Sequence, residues 1–420
     1  MYLKHIGLAA TAAFFILVGP QVTLAGVPED SKVLIAASDD VKSKAVAAIN
    51  SKDFDRAIAI LEKAASDDPF DEELNKLLGI AYNNRGWSKT EKDDIAGAFD
   101  DFRRSNAVEP KKEAATYLGL GYTSFRLKQQ DDALSYLNEA AYLNPTDGQA
   151  HVLMGQIYYQ DGKLHDAVRE WELAEQLTPG DANIKELLAK AKKELGVEGG
   201  FTRRETYYFN IKYEGGEERR LGDQVLDILN KAYTDIGGDL DYYPRQPVTV
   251  ILYTRKQFSD ITEAPSWSGG VFDGSIRIPI GGQDIDRTVL GAVLYHEYTH
   301  AVIRMVAGNN VPTWLNEGIA QYEERWVRTP SAELGEQGTV PLSSLNGSFL
   351  KIGDPGSVRQ AYAESLSAVG FYVDRFGRYS LAKLVRLLGD GKDVQSAVQD
   401  TTGVSFKDFE GYWLNSLNKQ

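Results

Sequence analysis

Pro145 and Pro179 stand 34 residues apart, each closing a stretch that reads as two short helices joined by a tight turn. Ahead of Pro179 come Gly155, Tyr158, Ala167, Trp171 and Ala174, and ahead of Pro145 come Tyr117, Leu120, Gly121, Ala133, Leu137 and Ala140. Small residues at these places let the paired helices approach, and the large ones fill the space between neighbouring pairs. Such a unit cannot bury its apolar face alone, so the period commits this part of the chain to a stack of helix pairs. Pro69 and Pro110 close two earlier units. The second carries Gly79, Tyr82, Ala98 and Phe102, with an insertion around Trp87 to Asp93 expected between its helices. The first has Ala57, Leu61 and Ala64 behind a weaker front helix, and DANIKELLAKAKKEL after Pro179 is expected to cap the stack.

This pattern resembles the tetratricopeptide repeat, in four copies with a capping helix over residues 38–196. The resemblance implies an all-α solenoid whose concave face is free for a protein or peptide partner, the plainer role being a spacer. His151 and His165 fall at unrelated repeat positions and are read as packing or solvent-facing residues, not as ligands. Residues 197–205, within GVEGGFTRRE, read as a glycine-containing linker, and residues 206–420 as a second domain.

That domain is organised around HEYTH, His296 to His300. Histidines four apart lie on one helix face and can offer two imidazoles to one metal. Imidazole suits zinc, and Glu297, beside the metal but not bound to it, can take a proton from a water held there. VLGAVLY and AVIRMV flank the motif and are apolar nearly all round, so the helix is expected to cross a core. Asp284 or Asp286 can cap its start and Gly308 its end. A catalytic zinc site takes three protein ligands and keeps one position open. Of the five histidines, His5, His151 and His165 lie before residue 200, so the third ligand is expected to be a carboxylate or a water-filled gap. Glu317 fits. Thr313 after Pro312 starts a second helix whose apolar face is Trp314, Leu315, Ile319 and Tyr322, with Glu317 expected on its first turn. A glutamate among those residues is costly without a cation. Glu324, two turns on, can accept from a ligand imidazole.

HEYTH followed by WLNEGIAQYEE resembles the gluzincin metallopeptidases, in particular the peptidase-MA-like proteins and more distantly aminopeptidase N. The resemblance implies an α+β zincin-like metallopeptidase domain after the solenoid. It also implies one Zn2+ per chain on His296, His300 and Glu317, with Glu297 as general base. The aminopeptidase relatives hold an oxyanion-donating tyrosine on a later helix, and AYAESLSAVGFYVDRFG puts Tyr362 there, with Ser365 where glycine is usual. No GxMEN-type segment precedes HEYTH, where VFDGSIRIP stands instead, so an endopeptidase acting on protein or peptide substrate is expected. Strands are expected at TYYFNIKYEG and Pro247 to Tyr253, and a strand hairpin at GGVFDGSIRIPI, with Gly270 to Ile278 along the cleft as an edge for an extended peptide. Three or four helices after Ser357 complete the domain. The competing reading is an inactive or chaperone-like repeat scaffold.

A formal net charge of −14 without a basic stripe speaks against nucleic acid, and the absence of cysteine excludes disulfides and a lipidated cysteine. Lys4, the apolar run Ile6 to Val18, the break at Gly19-Pro20 and the small Thr23 and Ala25 read as a signal peptide over 1–25. The run is short for a span of about twenty residues, so export to the periplasm or outside is expected, with no membrane span after cleavage, an uncleaved N-terminal anchor being the alternative.

Overall fold

The computed structural model describes residues 40–417 apart from 110, 216–218, 263–269, 281–284, 331, 333–338, 348, 350, 351 and 353. The signal peptide, Pro110, Gly269 and Asp284 therefore lie outside the described residues. The chain divides into two compact units between Leu195 and Gly196.

The first unit is four helix pairs: α1 Asp40–Asn50 with α2 Phe54–Asp67, α3 Glu72–Glu91 with α4 Ile95–Val108, α5 Ala114–Arg126 with α6 Gln130–Leu143, and α7 Gln149–Gln160 with α8 Leu164–Leu177. Helix α9, Ala182–Glu198, follows in the capping position, its last residues belonging to the second unit. Glycine permits the close approaches. A Cβ on Gly155 would lie 2.4 Å from Trp171, and one on Gly121 would lie 2.6 Å from Leu137. The insertion at Trp87 to Asp93 is not a loop. It lengthens α3 to 20 residues, because WSKTE continues the helix and the turn comes only at Asp93, with φ of 62°. Trp87 thereby reaches the core edge-on to Phe102, centroids 5.1 Å apart. His151 Nδ1 sits 2.8 Å from Glu170 and His165 is exposed, so both serve packing and solvent.

The second unit carries a five-stranded sheet in the order β1-β2-β3-β5-β4, formed by β1 Thr202–Glu205, β2 Phe209–Tyr213, β3 Val248–Leu252, β4 Val271–Phe272 and β5 Ile276–Ile278. The central strands β2, β3 and β5 run parallel, and both edges are antiparallel. Strand β1 lies inside the stretch read as a linker. TRRE has no apolar alternation because an edge strand with exposed faces needs none. Helix α10, Arg219–Leu240, connects β2 to β3. One sheet face, with Phe209, Ile211, Val250, Leu252, Ile276 and Ile278, packs into a core with α10 and with α12, Arg287–Ala307. The other, with Ile251, Tyr253 and Val271, packs on Phe258 and Ile261 of α11, Arg255–Thr262, and on Val197 and Phe201.

After α12 come α13 Thr313–Glu323, 3-10 turns at Glu324–Trp326 and Leu342–Leu345, α14 Pro355–Phe376, α15 Arg378–Gly389, α16 Val394–Thr402 and α17 Phe406–Leu417. Helices α13 and α14 touch through Gly318, where a Cβ would stand 2.4 Å from the Ser365 carbonyl oxygen. Backbone cannot yield as a side-chain tip does. Gly318→Ala is expected to destabilise the protein by about 1–3 kcal/mol, read as a lower urea midpoint at unchanged slope.

Candidate metal centre

Helix α12 starts at Asp286, whose carboxylate accepts from the amides of Thr288 and Val289, and stops at Gly308, where φ of 60° suits glycine. Between these caps, HEYTH lies wholly inside the protein: His296, Glu297 and His300 are each about 1% exposed. Helix α13 begins at Thr313 after Pro312, as expected, and Glu317 is its fifth residue, at the opening of the second turn. Trp314, Leu315 and Ile319 are buried around it, as the apolar spacing requires.

The two helices bring their donors to one point. His296 Nε2 and His300 Nε2 are 3.1 Å apart, and each is 3.6 Å from Glu317 Oε2. Donors about 3.3–3.4 Å apart are what a tetrahedral ion with bonds of about 2.0–2.1 Å requires. Glu317 Oε2 is buried and accepts no hydrogen bond among the described residues. The three residues form a group able to hold a metal ion. Their donor set is two imidazole nitrogens and one carboxylate oxygen, a combination that suits zinc among other divalent ions.

Glu324, on the 3-10 turn, completes the arrangement. Its Oε1 lies 2.9 Å from His296 Nδ1, so an Nδ1–H donated to it leaves Nε2 directed at Glu317. Its Oε2 accepts from Arg328 Nε at 2.7 Å. Burial alone would lower the His296 pKa, but the Glu317 carboxylate 3.6 Å away and the hydrogen bond with Glu324 outweigh it and push it up to about 10. Burial would raise the Glu317 carboxyl; the charges of His300 and His296 outweigh it and hold it low. Carboxylates and imidazoles packed this densely call for a positive charge among them, a proton or a cation.

Glu297 follows His296 on the same helix. Among the described residues its Oε2 is buried without a hydrogen-bond partner, and burial pushes its carboxyl up despite the neighbouring imidazoles. Tyr362 on α14 is buried beside the same centre: burial, then the charges of Glu317 and Glu297, push its phenol up. Its ring meets Phe349 edge-on at 5.0 Å. The structure thus brings His296, Glu297, His300, Glu317 and Tyr362 together.

Residues 229–419 match the family model of the Peptidase MA superfamily. The second unit carries a Peptidase MA superfamily domain. Residues 114–147 match a tetratricopeptide repeat model, so an all-helical repeat region precedes the Peptidase MA domain. Among curated proteins, the chain is similar to the DnaJ homolog subfamily C member 7 homolog of Dictyostelium discoideum, 27% identical over 40% of this chain and 30% of that protein. It is also similar to the anaphase-promoting complex subunit cut9 of Schizosaccharomyces pombe, 25% identical over 30% of this chain and 19% of that one. The chain thus spans less than a third of either relative. Among solved structures it is similar to YrrB, described as a TPR protein with an unusual peptide-binding site, at 22% identity and TM-score 0.31, over 37% of this chain and 76% of that one. MamA follows at 22% identity and TM-score 0.30, over 36% and 85%.

Two residues packed at this centre escape a reading of the sequence. Arg328 holds Glu324 from four residues on, a spacing that was visible as an i,i+4 pair. Gly270 abuts Glu297: a Cβ there would stand 2.6 Å from the Glu297 Cδ. Nothing local announces that contact.

Proposed function

We propose that this chain is an exported zinc-dependent peptidase, an endopeptidase that hydrolyses peptide bonds with Glu297 as general base. The buried convergence of His296, His300 and Glu317, with Glu297 one residue into the motif, carries this reading. His296, His300 and Glu317 would hold the zinc, and Glu324 would fix the His296 ring. Zinc bound there supplies a Lewis acid that polarises the scissile carbonyl and lowers the pKa of water. Glu297, in a dry pocket that favours a proton-accepting carboxyl of raised pKa, takes a proton from the attacking water and passes it to the leaving amine. Tyr362 is a phenol that keeps its proton at neutral pH, and burial pushes it further that way, so its O–H would donate to the developing oxyanion.

Strand β4 is the outer strand at its edge of the sheet among the described residues, and it directly follows Gly270, which lies beside Glu297. An extended substrate backbone pairing with that edge would run past the general base, with no need for a free amino terminus. N-acetylated and free-amine versions of one peptide are therefore expected to be cleaved at similar rates. A requirement for the free amine, read by mass spectrometry of the products, would exclude an endopeptidase. The repeats offer a surface for a protein or peptide partner, and export rests on the signal-like residues 1–25.

A further inference from the structure

Among the buried charges outside the metal centre, one group stands out. On the sheet face turned away from α12, Arg277 of β5 donates from Nη1 to Glu198 at 3.2 Å and to the Tyr253 hydroxyl at 2.5 Å. Its Nε donates to Asp273 at 3.0 Å, in the bend joining β4 to β5. Lys212 of β2 donates to the second oxygen of Glu198 at 3.1 Å. Arg277, Lys212, Glu198 and Asp273 are at most 6% exposed at their side chains, two cations against two anions. Such a group contributes little net stability, since desolvation offsets most of the attraction, but it fixes geometry.

What it fixes is the short hairpin. Arg277 pairs across the ladder with Val271, the residue after Gly270. On the opposite side of the strand, Gly270 lies so close to Glu297 that an added Cβ would fall 2.6 Å from both Cδ and Oε1. Glu297 is buried, so its carboxyl has no solvent to retreat into.

We propose that Gly270 is a positioning residue for Glu297, its bare backbone setting the place of the carboxyl, with Arg277 holding the strand that directly follows it. This inference rests on the peptidase reading for its activity arm but has a second readout independent of it. In Gly270→Ala the carboxyl must move by roughly an ångström, and a misplacement of about 1 Å costs about a hundredfold in rate. The zinc-loaded full-length variant is expected to keep the zinc content and KM of the parent while kcat falls about a hundredfold. Its crystal structure is expected to show the Glu297 carboxyl displaced, with His296, His300 and Glu317 in place. Arg277→Lys, which keeps a cation but not the forked donors between Glu198 and Asp273, should lose less kcat than Arg277→Met, and both should lose it in the same direction as Gly270→Ala. An unmoved carboxyl, or parental kcat, in Gly270→Ala overturns the proposal even if Arg277→Met fails to fold. If the parent itself cleaves no peptide, the peptidase reading fails and the carboxyl position alone decides this one.

Discussion

Glu297→Gln is expected to keep zinc at the level of the parent and to lower kcat by about 10²–10⁴-fold. The exchange preserves the shape of a side chain that is buried against Gly270, so packing is not the variable. It removes the proton acceptor. Because Glu297 lies outside the triad formed by His296, His300 and Glu317, metal uptake has no reason to change. Elemental analysis beside a peptide-cleavage assay reads both quantities. A Gln variant that cleaves as fast as the parent would remove Glu297 from the reaction.

His296→Ala is expected to do the opposite, losing the ion first and activity as a consequence. Two donors then remain where three converge, and Glu324 and Arg328 are left facing a gap. The loss of zinc affinity should exceed the about 10–100-fold that removal of an outer hydrogen-bond partner costs, which is the loss expected for Glu324→Ala. Competition against a chelator of known affinity ranks the three proteins: parent, then Glu324→Ala, then His296→Ala. Equal affinity of His296→Ala and the parent would place the ion elsewhere.

The parts of this protein that sequence disclosed are those governed by local periodicity. The 3.6-residue repeat puts His296 and His300 on one face, and Pro312-Thr313 sets the phase that points Glu317 inward. Glu324 follows from the same phase, two turns on. The glycines of the helix pairs are legible too, because each stands at a fixed offset from the large residue it admits, as Gly155 does from Trp171. Contacts made across the sheet left no such trace. Lys212 and Arg277 look like surface charges in any window of sequence, and their burial depends on Glu198, 14 and 79 residues away. TRRE became an edge strand through pairing with β2, which its own residues do not encode. The stretch from Trp87 to Asp93, expected between the two helices, extends α3 as far as Glu91 instead, because an insertion between two helix signatures says nothing of which helix absorbs it.

The decisive experiment is elemental analysis of the full chain, purified folded and without exposure to chelators. The geometry of His296, His300 and Glu317 predicts one zinc per chain, removable by chelation and restored on adding the ion back. A folded chain that takes up no divalent ion would contradict the reading of this centre as a metallopeptidase site.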